Sequence, residues 1–190
     1  DLCTSIFAGV GFGTKYYRER GIPVIKTRSV KKLVNHIGKI DWSEVDFVRE
    51  KKYKKDRFLR TSDILLQSVA HTKDYIGDKI AIVDRFPNNF EKVLALSKFL
   101  VIRADKNKIN PIYLFLFLTS KLAREQFRHY TRGMTAEIYE FDIRNMWIPV
   151  PDRPTQGKIT EQFHQLLQNL QQHKNQLEET KTSISNLSKT

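Results

Sequence analysis

The sequence predicts an α+β chain in two parts. A head built on a curved, mainly antiparallel or mixed sheet with helices comes first, and one long C-terminal coiled-coil helix follows. Three observations predict this. Short β-like runs recur between turns in the first hundred residues, a capped helix opens at Asn110-Pro111, and an unbroken heptad ladder closes the chain.

Gly9, Gly11 and Gly13 loosen the opening segment, which leads into the aromatic-basic stretch Lys15-Tyr16-Tyr17-Arg18. Gly21-Ile22-Pro23-Val24-Ile25 reads as a turn into a short strand, and the mostly charged residues 45–60 read as a helical or looped surface segment. Three compact apolar runs then suggest strands: residues 63–69, residues 79–83 after the turn pair Gly77-Asp78, and residues 98–103. Asn110 suits an N-cap, and Pro111 has the fixed φ and the missing donor that a first helical position tolerates. The helix is expected to run through Leu118 and Leu122 towards His129, with Gly133 breaking the chain beyond it. Ile143, Trp147, Ile148 and Val150 form a further short apolar segment. Prolines at 149, 151 and 154 make a stiff junction, after which Thr155 or a neighbour caps the last helix. The parts expected are therefore residues 1–151 and 152–190.

The ladder consists of Ile159, Phe163, Leu166, Leu170, His173, Leu177, Thr180, Ile184 and Leu187, in alternating steps of four and three. A 3.5-residue period winds an apolar seam slowly around a helix, so the seam is best buried by a second, supercoiling helix. At about 1.5 Å per residue it makes a rod roughly 43 Å long, too long and narrow for a small head to cover. His173 and Thr180 are the two polar rungs, suited to setting register.

The 190 residues are 40% hydrophobic and 11% aromatic, enough for one packed domain plus an appendage. A net charge of +12 points to a polyanionic partner, since each Lys or Arg placed on a phosphate releases counterions. The excess is concentrated: residues 11–60 hold 15 Lys and Arg against six acids. One cysteine, Cys3, excludes an internal disulfide framework and any Cys-based zinc site, which fits a reducing cytoplasm. The longest apolar run, Ile112 to Leu118, falls far short of the ~20 residues that span a bilayer. No signal-peptide pattern opens the chain, and its start at Asp1 without Met suggests a fragment or a trimmed chain.

Two strings imitate a nucleotide methyltransferase. Phe7-Ala8-Gly9-Val10-Gly11-Phe12-Gly13 resembles a glycine-rich cofactor loop, and Asn110-Pro111-Ile112-Tyr113 the catalytic tetrapeptide of adenine-N6 methyltransferases. The context fails in both cases. The loop has no preceding buried strand and no following helix start, and the tetrapeptide lacks its second proline where a capped helix begins. The five histidines, His36, His71, His129, His164 and His173, show no metal-ligand spacing. No catalytic residue, metal or cofactor is expected.

Five ordered landmarks remain: Ala8-Gly9 with Gly21 to Lys26; Asp63 to Leu66; Gly77 to Val83; Asn110 to Leu114 with Leu118-Thr119-Ser120; and Gly133, Ile143 and Ile148 to Pro151, with Gln156 and Ile159 opening the long helix. The set resembles one target recognition domain and one spacer helix of the specificity subunit of type I restriction–modification systems. The resemblance implies a non-catalytic subunit that reads one half of a bipartite target in double-stranded DNA. It implies, as partners, a modification subunit that methylates adenine and, through it, a restriction motor-nuclease subunit. With a single domain and helix, the chain is a fragment of a two-domain subunit, a half-subunit that homodimerises, or the recognition tail of a fused enzyme. An enzyme with its own active centre and a basic-headed coiled-coil scaffold without sequence specificity are the rival readings.

For backbone positioning the basic opening supplies Lys15, Arg18, Lys26, Arg28, Lys31 and Lys32, with Lys51, Lys52, Lys54 and Lys55 as a further cluster. For base readout, loops beside the landmarks supply Gln67, Ser68, His71, Arg132, Thr135 and Glu137, and Tyr16 and Tyr17 can stack.

Overall fold

The computed structural model describes residues 1–31, 38–50, 53–133 and 135–187, with side chains to 184. Its strands are β1 (Cys3–Ala8), β2 (Tyr17–Arg18), β3 (Ile22–Ile25), β4 (Asp46–Val48) and β5 (Ile64–Gln67), then β6 (Val69–Ala70), β7 (Ile80–Ile82), β8 (Leu94–Ala95), β9 (Phe99–Ala104) and β10 (Ala136–Glu137). The helices are α1 (Pro111–Thr119), α2 (Lys121–Tyr130), α3 (Glu140–Arg144) and α4 (Arg153–Leu187). The expected α+β class is the one observed. The chain divides into two units, Asp1–Val150 and Pro151–Thr190.

Two four-stranded sheets organise the first unit, one antiparallel in the order β1-β9-β5-β7 and one mixed in the order β2-β4-β3-β8; β10 and β6 form a small ribbon. The three apolar runs expected as strands became β5, β7 and β9, which pair side by side. In that sheet Leu65 lies opposite both Ala81 and Val101. This row joins Phe7, Ile25, Val30, Val93 and Ala95 in one buried cluster that links the two sheets. The alternate residues Ile64, Leu66, Ile80 and Ile102 belong to the opposite face by the two-residue strand period and are fully buried. There α1 packs on β7 and β9. Fully burying each such side chain contributes on the order of 1.5–3 kcal/mol.

Four elements differ from expectation. β1 was read as a loosened glycine segment, yet its backbone pairs with β9 from Cys3 to Ala8. Gly9 follows because a Cβ there would lie 2.3 Å from the Leu96 carbonyl oxygen, so the close crossing admits no side chain. Asp46–Val48, inside the segment read as loop or helix, is a strand flanked by β2 and β3. Its charged residue is accommodated because Asp46 pairs with Lys26 and Arg28. The single helix expected from Asn110 towards His129 is two. Asn110 caps α1 through the Ile112 N–H (2.8 Å). Ser120 then leaves helical geometry (φ −72°, ψ 161°), donating its N–H to Phe117 and accepting from the Ala123 N–H, so it ends one helix and caps the next. Finally, the apolar segment after Gly133 is only partly core: Ile143 is buried in α3, whereas Trp147 is 68% exposed.

In the second unit the cap of α4 is Asp152, whose carboxylate accepts the Thr155 N–H at 3.1 Å. That hydrogen bonding with Thr155 holds the Asp152 carboxyl below the usual carboxylate range. Gln156 donates to the Pro151 carbonyl at 2.8 Å, fastening the first turn to the proline junction. The ladder is helical throughout, and Leu166, Leu170, Leu177 and Ile184 are exposed by 45–61%. Thr180 turns its hydroxyl back onto the Gln176 carbonyl (2.8 Å), so a polar rung is satisfied within its own helix. The side chain of Leu187 lies outside the described residues. No helix among the described residues is long and apolar enough to cross a membrane.

Candidate nucleic-acid interface

The strand register carries one row of side chains from the core into a polar cleft. Beyond Leu65 on β5 the next residue on the same side is Gln67, opposite Phe99. Its N–H donates to the Lys79 carbonyl at 2.9 Å. Gln67, Lys79 and Lys98 thus stand at the adjoining ends of three neighbouring strands. A cleft of about 310 Å³ opens there, walled also by Thr27, His71 and Thr135. Gln67 is oriented by donating its amide N–H to the Val69 carbonyl (3.2 Å), and the Lys79 ammonium donates to the Thr27 carbonyl. That second bond ties the cleft to the basic turn Lys26-Thr27-Arg28. Asp78, the carboxylate on the lining, pairs with Arg124 at 3.0 Å.

Three of the eight sequence-selected readout residues, Gln67, His71 and Thr135, therefore meet in one place. Ser68 does not reach it. The residue is buried, and both its N–H and its hydroxyl donate to the Lys98 carbonyl. Arg132 and Glu137 form a separate cluster. Arg132 binds the buried Asp142 at 2.7 Å and lies 5.0 Å from the Phe141 ring, while Glu137 accepts the Tyr139 hydroxyl at 2.9 Å. That hydrogen bond raises the Tyr139 phenol above its ordinary range. Lys79, Lys98 and Thr27 escaped sequence reasoning. Their signal was positional, since Lys79 follows the Gly77-Asp78 turn and Lys98 precedes a strand, but only the register aligns them.

The backbone-positioning candidates gather around the second sheet. Lys26 pairs with Asp46 and lies 4.3 Å from the Tyr17 ring, Arg28 pairs with Glu44 and Asp46, and Lys31 with Asp41 at 3.2 Å. The Asp41 carboxyl is held below its usual range, first by the Ser43 hydroxyl and then by Lys31. Arg18 donates to the carbonyls of Lys15 and Tyr17, while Lys15 and Arg49 lie 5.5 and 5.0 Å from the Tyr16 ring. Tyr16 and Tyr17 are half-buried. Lys32, Lys51 and Lys52 lie outside the described residues. Exposed ion pairs are worth about 0–1 kcal/mol, so a phosphate can displace a carboxylate from Arg28 at small cost.

The family model for the type I restriction modification DNA specificity domain matches residues 13–181. The chain belongs to that family. The match takes in the head, the proline junction and most of the heptad helix of this specificity domain. Among solved structures, the HsdS subunit from Thermoanaerobacter tengcongensis is similar in fold, with a TM-score of 0.57 and 19% identity over 90% of this chain and 41% of that one. A second similar chain comes from a structure concerned with complex assembly and conformational transition of the type I R-M system, with a TM-score of 0.59 and 16% identity over 92% of this chain and 45% of that one. The specificity domain thus spans less than half of either. No curated protein matches it in sequence. Family membership makes it a sequence-specific DNA-recognition element of a multisubunit complex and not a catalytic one. Among the described residues, no group of three or more His, Cys, Asp or Glu could hold a metal ion.

Proposed function

We propose that this specificity domain reads one half of a bipartite DNA target and directs partner subunits to it. The observation that carries the reading is the single family match running through both the basic head and the heptad helix. The head, residues 1–151, lies on duplex DNA, with the cleft over base edges and the turn at Lys26 and Arg28 along the backbone. The helix, residues 152–190, is a spacer whose length sets the distance to the second half-site. Its seam is covered by a second helix, from a copy of this chain or from the same subunit, and the modification subunit docks on the resulting scaffold. Adenine methylation belongs to that subunit and cleavage to the restriction subunit, so this domain needs no cofactor. All of this takes place in the cytoplasm.

Salt dependence tests the DNA contact. Each neutralised phosphate contributes a slope of about −0.9 to log K against log salt. Lys26, Arg28 and Lys31 already have carboxylate partners, so roughly four phosphates are a reasonable number for one head. Raising salt from about 50 to 200 mM should then weaken binding on the order of a hundredfold. A flat response in filter binding or fluorescence anisotropy contradicts the reading.

A further inference from the structure

The polar groups of the cleft are unequally divided between donors and acceptors. Lys79 spends one ammonium proton on the Thr27 carbonyl and has two more to give. Gln67 spends one amide proton on Val69. Lys98 and His71 are exposed on the lining, and among the described residues neither side chain forms an ion pair or hydrogen bond. The carboxylate that could accept, Asp78, is neutralised by Arg124. The lining therefore offers donors in surplus.

Base pairs present different patterns in the major groove. Guanine offers two adjacent acceptors, N7 and O6, without a donor. Adenine pairs an acceptor with a donor, cytosine offers a donor, and thymine sets one acceptor beside a methyl group. Guanine alone matches a lining that donates more than it accepts. Building on the DNA-recognition reading, we propose that this cleft receives the major-groove edge of a guanine. Lys98 and His71 donate to its N7 and O6, and Gln67 and Lys79 shape the wall behind them. A phosphate would satisfy the same donors, but it carries no sequence information, and this difference makes the two separable.

The experiment uses the full chain and a duplex selected by it from a random-sequence pool. Each guanine is replaced in turn by 7-deazaguanine, which lacks N7, and binding is measured in competition. One guanine is expected whose replacement weakens binding roughly tenfold, the size of a lost specific base contact. In Lys98→Ala that penalty falls to about twofold or less, and other base pairs are tolerated at the position. His71→Ala provides an independent variant at the second donor, and circular dichroism checks that both are folded. If no guanine shows a penalty, or if the penalty survives in both variants, the inference fails while the DNA reading stands. Equal weakening on every duplex by Lys98→Ala makes the site a phosphate contact and overturns the inference. A pool that is not enriched at all overturns both.

Discussion

Asp63→Ala is expected to destabilise the head by about 3–5 kcal/mol, the usual cost of stranding a buried charge. Asp63 is 1% exposed and its carboxylate takes Arg103 at both oxygens, Nε and Nη2 each at 2.8 Å. One of those oxygens also accepts the Arg60 N–H at 2.8 Å. Arg103 reaches on to the Phe58 carbonyl and lies 5.5 Å from the Phe7 ring. The pair therefore joins the lead-in to β5, the end of β9 and the ring of β1. Removing the carboxylate leaves the guanidinium, whose side chain is 13% exposed, with no compensating charge. Domains of this kind have about 5–15 kcal/mol in total, so the variant should lie close to unfolding. Replacing both partners, Asp63→Leu with Arg103→Met, should recover much of the loss, because the uncompensated charge goes too. Urea unfolding of the two variants is the check, and a loss below about 1 kcal/mol in the single variant contradicts the account.

Leu170→Glu is expected to abolish association through the long helix. Leu170 is a central rung and exposed within the chain, so its burial depends on a partner. A charge placed in an apolar seam must be desolvated unpaired, which weakens association on the order of a hundredfold or more. Gln168→Glu adds the same charge off the seam and should leave association intact. Analytical ultracentrifugation and co-purification with the modification subunit report the outcome. Unchanged sedimentation together with intact docking for Leu170→Glu removes the helix from that role.

The two parts of the chain were unequally legible in the sequence. α4 announces itself because a heptad is a local pattern, and β5, β7 and β9 do so as compact apolar runs between polar residues. β1 does not: Ser5 and Thr4 interrupt its apolar residues, and its pairing with β9 spans the whole head. β4 is hidden for another reason. Its flanks are charged, and Asp46 is tolerated only because Lys26 and Arg28 come from elsewhere in the fold. Ser120 interrupts a helix-compatible run without glycine or proline, so the break was not readable from punctuation. The landmark Asp63 could be named from its resemblance to a family, whereas its reason, a buried bond to Arg103 forty residues on, could not.

The candidate site follows the same logic. Gln67, His71 and Thr135 were found because polar residues in loops beside strands are the common source of base contacts. Lys79 and Lys98 were missed because only the β7-β5-β9 register puts them next to Gln67. Arg132 looked like a forked reader of guanine, but in the fold it answers the buried charge of Asp142, which also caps α3 through the Tyr139 N–H at 2.8 Å. Ser68 looked available and is enclosed. Residue chemistry named the right kinds of group, and topology decided which of them face the cleft.

Sequence-specific DNA recognition is the central claim, and selection from a pool of random-sequence duplexes tests it most directly. Duplexes retained by the full chain at about 150 mM salt should converge on one short half-site, beyond what counterion release alone retains. A retained pool with the same base composition as the input, bound no tighter than unselected duplex, contradicts the claim.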